Sequence, residues 1–309
     1  MSTNIAVAVF GSAARGDQDN LSDRDVLIVS PALEDAHDTM RSLRARGWSP
    51  TLFTWKRLDQ AARSGDLFVS HLQRESRITR DPDNTLAHLL DGFSPRTSYA
   101  PRFWRAAELL LAIEHVPAEP SCQLWALDVA AVTYRALAVA LLANEGIFRF
   151  SPHGIRSELL RLGRLKSTEP DPYAALRCFK WHYRSGRTLP RTTTRQMLGL
   201  LNAVDRIFAL GVHFRSTEAD NFVASALESS YSHMGWYTRA RRLEGALALL
   251  SPTSEHDREA ITRISRRLKA PSEYGAMVAR SCATWKIQLG GLLREGRIRI
   301  RTDCLRRAA

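Results

Sequence analysis

Residues 5–16, IAVAVFGSAARG, contain an apolar run and the glycine–serine turn that ends it. The uncharged run IAVAVF predicts a buried strand, which Gly11 and Ser12 end. The letters AAR then predict one helical turn, which Gly16 closes. Such a turn directs backbone N–H groups and one hydroxyl at a single point, where they can donate to a phosphate group. Arg15 is predicted to add a charge-assisted phosphate contact.

Two carboxylates follow at the start of a second apolar run. Asp23 and Asp25 stand two positions apart in SDRDVLIV, residues 22–29. Side chains at i and i+2 of a strand face the same side, so the two carboxylates are expected to project together from one edge of a sheet. Adjacent anions repel each other unless a cation lies between them, and hard oxygen ligands suit Mg²⁺ or Mn²⁺. A phosphate-binding turn beside a metal site predicts metal-assisted phosphoryl or nucleotidyl transfer.

The combined pattern, GSxxRG followed by SDxD, closely resembles the signature of the DNA polymerase β-like nucleotidyltransferase superfamily. It is most similar to the minimal bacterial members and to the aminoglycoside nucleotidyltransferases, specifically over residues 5–30 and more loosely to about residue 90. The resemblance implies an enzyme that moves a nucleoside monophosphate from an NTP to a hydroxyl, with Mg²⁺ or Mn²⁺ as cofactor. It also implies a triphosphate loop and a pair of catalytic metal ligands, formed respectively by Gly11 with Ser12 and by Asp23 with Asp25.

The chain departs from the superfamily at the third carboxylate, which usually lies on a later strand and deprotonates the attacking hydroxyl. The matching stretch here, residues 51–55 (TLFTW), has no acid, and the nearest acids are Asp59 and Asp66. A missing general base costs about 10²–10⁴ in rate. An impaired protein that binds nucleotide or RNA without catalysis is therefore an alternative. His71 and Glu75 are candidate replacements, although a pair on a helix surface is the simpler interpretation.

The length of 309 residues and the order of the patterns predict two domains. A β-α-β-α-β pattern fills about the first 90 residues, and helical patterns separated by prolines follow. Serine and proline at residues 93–101 mark the boundary. We predict an α+β fold, with a small mixed-sheet nucleotidyltransferase domain at residues 1–95 and an all-α, basic, substrate-binding domain at residues 96–309.

The net charge of +12 is unevenly distributed. Residues 1–95 hold two more acidic than basic residues, whereas residues 96–309 hold 14 more basic than acidic ones. A basic domain beside a nucleotidyltransferase site favours a polyanionic partner, so the predicted acceptor is RNA, for example a tRNA 3′ end. Arginine-rich helices are also ordinary in proteins from GC-rich genomes. A protein hydroxyl is a further alternative, as is a small aminoglycoside-type acceptor, although such cationic substrates call for an acidic pocket.

A second motif suggests a different activity. Arg177 and His182, in RCFKWH on a predicted helix, match the Arg-x4-His spacing of HEPN-type ribonucleases. The resemblance implies that the histidine is a general base on a ribose 2′-hydroxyl and that the arginine stabilises the phosphorane. The pattern is short, and a partly exposed helix face is the simpler interpretation. A HEPN-like ribonuclease therefore remains an alternative function.

Other classes are disfavoured by composition. No membrane association is expected, because Asp128 and Arg135 interrupt the longest apolar stretch before it reaches ~18 residues. The N-terminal apolar run is too short for a signal peptide. The cysteines lie far apart without a CxxC spacing, so reduced thiols in the cytoplasm are expected rather than structural zinc. They are Cys122, Cys178, Cys282 and Cys304.

Overall fold

A computed structural model describes residues 4–186, 193–228, 235–269 and 276–301. A four-stranded sheet dominates the N-terminal part, in the order β3-β2-β1-β4. Strand β1 is antiparallel to both β2 and β4, and β2 is parallel to β3, so the sheet is mixed as predicted. The strands are β1 (Ala6–Phe10), β2 (Asp25–Ser30), β3 (Ser49–Thr54) and β4 (Ser76–Arg80).

Helices cover both faces of this sheet, which explains why its central strands are apolar without alternation. Phe10 of β1 and Leu27 of β2 contribute to the core on one face, and Val26 and Ile28 of β2 contribute to the core on the other. The first core is completed by α3 (Trp55–Arg63), α4 (Leu67–Glu75) and α5 (Thr85–Asp91), and the second by α2 (His37–Ala45) and the 3-10 turn before it, Glu34–Ala36. The one-turn helix α1 (Ser12–Arg15) connects β1 to the loop before β2.

A glycine turn and an aspartate cap fix the start of helix α4. Gly65 has a φ of +62°, which turns the chain after α3, and Asp66 then accepts a hydrogen bond from the Phe68 N–H at 2.8 Å. A carboxylate at this position satisfies one of the N–H groups that the first turn of a helix leaves without an intrahelical acceptor. The cap fixes where α4 begins, and its last residue, Glu75, leads directly into β4.

The remaining elements are mostly helices, which confirms the predicted α+β class. They are α6 (Ala100–Glu108), α7 (Pro120–Asn144), α8 (Pro152–Arg161), α9 (Pro172–Ser185), α10 (Thr194–Phe208), α11 (Ala219–Leu227), α12 (Trp236–Leu247), α13 (Glu255–Lys269) and α14 (Ala276–Arg294), with a 3-10 turn at Leu109–Ile113. Within the described residues four short strands also occur here, so this part is not all-α as predicted. Strands β5 (His115–Pro117) and β6 (Arg215–Thr217) pair in parallel, and β7 (Leu250–Pro252) and β8 (Ile298–Ile300) pair antiparallel.

Contacts between Cα atoms divide the chain into two compact units. Unit 1 comprises residues 1–101 and 139–159, and unit 2 comprises residues 102–138 and 160–309. The second segment of unit 1 therefore includes the end of α7, from Val139, and most of α8. The division into domains at residues 1–95 and 96–309 stays a prediction.

Helix α7 is the helix, among those of the described residues, that is long and apolar enough to cross a membrane by length and composition. In its most apolar window 78% of the residues are buried inside the protein, as is usual for the core helix of a folded domain. The sequence expectation that no stretch meets this criterion is therefore not met. Asp128 does not disqualify the helix by composition, because it is one of few charges in the window and is paired within the protein.

Asp128 anchors a buried network of charges in unit 2. Its side chain is completely buried, and Arg184 donates to both of its oxygens, from Nε and Nη2, at 2.8 Å each. Arg241 donates to both Asp128 and Glu244, and the Tyr183 hydroxyl donates to Glu244 at 2.8 Å. Burial works to raise the pKa of Asp128, but the charges of Arg241 and Arg184 outweigh it and leave that pKa below its ordinary value. Burial raises the pKa of Glu244.

Candidate active site

The loop between β1 and α1 depends on a glycine. Gly11 has φ +67° and ψ −144°, a conformation that side chains with a Cβ rarely adopt. A Cβ at Gly11 would also lie 3.4 Å from Asp25 Oδ2 and 3.9 Å from the His71 ring. Gly16 closes the turn with φ +78°, and its N–H donates to the carbonyl of Ser12 at 3.0 Å. The predicted phosphate loop thus exists as a tight turn, with Ser12 as the first residue of α1.

The structure brings Asp25 to this loop. Asp25 is the first residue of β2, is half-buried and stands in register with Ser49 of β3. Its Oδ2 atom faces Gly11, as the 3.4 Å approach shows. The sheet therefore places one of the two predicted metal ligands directly against the predicted phosphate loop.

Asp23 is positioned differently from the expectation. It is exposed and lies two residues before β2 begins, so the strand alternation that was expected to align it with Asp25 does not apply to it. The turn before it is ordered by Asp19, whose Oδ1 accepts hydrogen bonds from Ser22 Oγ at 2.6 Å and from the Leu21 N–H at 3.1 Å. Asp23 thus comes directly after a hydrogen-bonded turn. Its metal-binding role stays a prediction.

Arg15, the predicted phosphate contact, is held by two carboxylates. Its Nη2 and Nε atoms each lie 3.0 Å from Asp17, and its Nη1 pairs with Glu75. About a fifth of its side chain, 21%, remains exposed. The guanidinium therefore ties the end of α1 to the end of α4, and a phosphate contact by Arg15 stays a prediction.

Glu75 and His71 also lie at this loop, although their spacing favoured a pair on a helix surface. His71 is 6% exposed, so the interpretation as a surface pair is wrong for it. Its Nε2 lies 3.0 Å from Glu75 Oε2, and its ring stacks on Phe150 at 4.5 Å between centroids. The Gly11 N–H donates to the carbonyl of Glu75 at 3.2 Å.

The register of the sheet explains this placement. Phe10 of β1 pairs with Ser76 of β4, which sets the preceding residue Glu75 beside Gly11. The spacing of His71 and Glu75 was visible in the sequence, but the pairing of β4 with β1 was not. Burial works to raise the pKa of Glu75, whereas the hydrogen bond and charge of His71 and the charge of Arg15 lower it more strongly. Glu75 is therefore an ionised carboxylate at neutral pH.

We expect Glu75→Gln to reduce the free energy of unfolding by about 2 kcal/mol at pH 7, because Arg15 and His71 lose a charged acceptor in a half-buried place. A lowered carboxyl pKa contributes stability that is present above the ordinary value and is lost as the pH falls through the lowered one. The difference from wild type should therefore shrink on acidification. Urea unfolding at pH 7 and at pH 3 measures it.

Glu34→Gln is the control for that variant, since Glu34 is an exposed acid of the same unit. It should change the free energy of unfolding by no more than ~0.5 kcal/mol. Equal stability of Glu75→Gln and wild type at pH 7 would show that the contacts of Glu75 with Arg15 and His71 do not stabilise the protein.

The fit of a metal ion depends on the two aspartates. Among the described residues, no group of three or more His, Cys, Asp or Glu side chains is arranged to hold a metal. Mg²⁺ is commonly bound through one or two carboxylates, with water and substrate phosphates completing its octahedron. Asp25 lies at the loop and Asp23 stands two positions before it, so a metal ion held by this pair stays a prediction.

The comparisons with known proteins agree with this geometry. Residues 1–69 match the family model of the nucleotidyltransferase domain. These residues form a nucleotidyltransferase domain. The match is consistent with the polymerase β-like superfamily, and so the resemblance noted from the motifs is confirmed. No significant match was found among curated proteins or among solved structures.

The nucleotidyltransferase domain match contains the loop, both aspartates and the strand β3 that lacks an acid. It ends within α4 at residue 69, before His71 and Glu75. The two residues that the structure adds to the loop thus come from sequence beyond the matched region.

The alternative ribonuclease pair lies on a single helix. Arg177 and His182 both lie on α9, but five residues correspond to about 140° around a helix axis. His182 lines a cavity with residues of α12 and α13, whereas Arg177 is not among the residues that line it. The ribonuclease alternative stays a prediction.

Proposed function

We propose that the chain is a metal-dependent nucleotidyltransferase that moves a nucleoside monophosphate from an NTP to a hydroxyl of RNA, for example at a tRNA 3′ end. The observation that carries the proposal is the carboxylate of Asp25 against Gly11, inside a nucleotidyltransferase domain. Pyrophosphate is the leaving group of such a transfer.

The residues of the loop take separate roles in this proposal. The backbone N–H groups that follow Gly11, with the Ser12 hydroxyl, bind the triphosphate, since the first N–H groups of a helix have no intrahelical acceptor. Asp23 and Asp25 hold Mg²⁺ or Mn²⁺. When bound, the metal neutralises phosphate charge and orients the α-phosphate for in-line attack.

Glu75 is the acid that the structure offers beside the loop in place of one on β3. Arg15 and His71 hold it ionised, and a carboxylate with a lowered pKa is a weak proton acceptor at neutral pH. We therefore give Glu75 the role of positioning Arg15 and His71 rather than that of general base. The proton of the acceptor hydroxyl then passes to solvent.

The RNA part of the proposal is supported by charge. Residues 96–309 carry an excess of 14 basic residues, which suits a polyanion better than a cationic aminoglycoside. Reducing conditions in the cytoplasm agree with the free thiols of Cys122, Cys178 and Cys282.

The decisive experiment incubates the full chain with each α-³²P-labelled NTP, total RNA and Mg²⁺ or Mn²⁺, with EDTA as the metal-free control. The expected result is label in RNA that depends on the metal and is lost in Asp23→Asn. Label on protein instead would identify a protein hydroxyl as acceptor, and binding of NTP without incorporation would identify an impaired protein. RNA cleavage that is lost in His182→Ala would replace the proposal with a ribonuclease.

A further inference from the structure

Helix α13 presents a row of arginines on its solvent face. Arg258, Arg263, Arg266 and Arg267 are exposed and line one open depression of unit 2 with Glu255, Glu259 and Thr262. At 1.5 Å per residue the row is about 14 Å long. The depression is thus lined by four positive and two negative side chains, and Arg258 pairs with Glu255. We call these four arginines the α13 row.

A cavity of about 450 Å³ adjoins the α13 row, since Arg258 and Thr262 line both. Its wall contains His182 and Tyr183 of α9, Glu244 of α12, and apolar residues that include Leu247 and Leu250. The volume lies within the range of small-molecule sites, and the wall combines apolar side chains with about as many polar ones. This combination is what a nucleobase requires, because its faces are apolar and its edges form hydrogen bonds.

His182 supplies the polar atom that faces no protein acceptor or donor. Its Nδ1 is buried and has no hydrogen-bond partner within the described part of the chain. A buried polar atom without a partner costs free energy, so a turn of the ring that brings Nδ1 to the cavity and to the edge of a bound base is favoured. Tyr183 and Glu244, in contrast, bond to each other, and Arg241 bonds to Glu244.

We propose that this surface of unit 2 binds single-stranded nucleic acid, with phosphates on the α13 row and one unpaired base in the cavity beside His182. Guanidinium groups form paired hydrogen bonds with phosphate oxygens. Contacts to phosphates carry no sequence information, so binding is largely independent of sequence. A base within a duplex cannot enter the cavity without leaving its stack, which favours single strands.

The inference extends the proposed function by assigning the surface that holds RNA, but binding does not require transfer. It is therefore tested without NTP and in EDTA, by fluorescence anisotropy of the full chain with a fluorescein-labelled 12-nucleotide oligouridylate. The variant Arg263→Glu/Arg266→Glu/Arg267→Glu should raise Kd at least about tenfold at 0.1 M salt. The slope of log K against log salt should become shallower by about 2, since each single-strand phosphate contact contributes about 0.7.

The matched control is Arg195→Glu/Arg206→Glu/Arg215→Glu. These three arginines are exposed and belong to the same unit, so the change in net charge is identical. Kd should change less than about threefold. An equal loss of affinity in both triple variants would overturn the α13 row as the site and leave only the general charge of the chain.

The cavity has its own variant and control. His182→Ala should weaken binding of the single strand about fivefold, in keeping with the loss of one hydrogen bond to the base, and should leave binding of the matching duplex unchanged. His213→Ala removes an exposed histidine of the same unit and should have no effect. If His182→Ala does not fold, His182→Leu fills the space without a polar atom and serves the same purpose.

Two results would contradict the proposal as a whole. Equal affinity for single strand and duplex would show that no base enters the cavity. Displacement of RNA by polyglutamate of equal charge would instead identify a surface for an acidic protein. If all binding results are as expected but no nucleotidyl transfer is detected, the proposed function is wrong and the binding proposal stands.

Discussion

Asp25→Asn should reduce nucleotidyl transfer by about 10³-fold, which corresponds to ~4 kcal/mol of transition-state stabilisation. The amide keeps the shape of the carboxylate but loses the charge that binds a divalent cation. Because Asp25 lies against Gly11, the loss occurs where the triphosphate is proposed to bind. Initial rates with saturating NTP and RNA, measured across a series of Mg²⁺ concentrations, give the effect on kcat and on metal dependence.

The control for Asp25→Asn is Asp35→Asn. Asp35 is an exposed acid of the same unit, in the 3-10 turn before α2, so the change in charge is the same. Its rate should stay within about twofold of wild type. A rate within tenfold of wild type for Asp25→Asn, with the thermal midpoint of unfolding unchanged, would show that Asp25 is not a metal ligand and would remove the main support for the proposed chemistry.

Asp128→Ala should have the largest effect on stability, with a loss of about 3–5 kcal/mol in the free energy of unfolding. The reason is that Arg241, 1% exposed, and Arg184 would be left in the interior without their shared carboxylate. A loss of this size lowers the unfolding midpoint by about 10 °C for a unit of this length. Urea unfolding at pH 7, followed by circular dichroism, measures it.

The sign of the pH dependence follows from the lowered pKa of Asp128. Its contribution to stability is present above the ordinary value of 3.8 and is lost as the pH falls through the lowered one. Glu259→Ala, at an exposed acid of α13, is the control and should change stability by no more than ~0.5 kcal/mol. A loss below 1 kcal/mol in Asp128→Ala would show that the two arginines reach water or another acceptor.

The strands and the loop of the nucleotidyltransferase domain were predictable because their signals are local. An uncharged apolar run such as residues 5–10 or 26–29 is typical of a strand in a sheet that is covered on both faces. A glycine with φ +67° is needed where the chain turns sharply, and the sequence has Gly11 there. Strand β3 was also predicted near its observed bounds, Ser49–Thr54.

The partners of the charged groups were not predictable in the same way. Arg15 and Glu75 are 60 positions apart in the chain, and only the antiparallel pairing of β4 with β1 brings them together. Asp128 and Arg241 are 113 positions apart, and Asp128 was interpreted only as an interruption of an apolar stretch. Periodicity reports which face of an element is buried, but it does not report which other element lies against that face.

The amino-acid sequence by itself determined the order of strand, loop and acid pair, and with it the likeness of residues 1–69 to the nucleotidyltransferase domain, because these features involve neighbours along the chain. Tertiary structure alone decided that His71 and Glu75 lie beside the Gly11 loop and that Arg15 pairs with Glu75. It also decided that the α13 row adjoins a cavity. The physical reason is that strand register and helix packing are fixed by the sum of many distant contacts, each too weak to leave a pattern in the sequence.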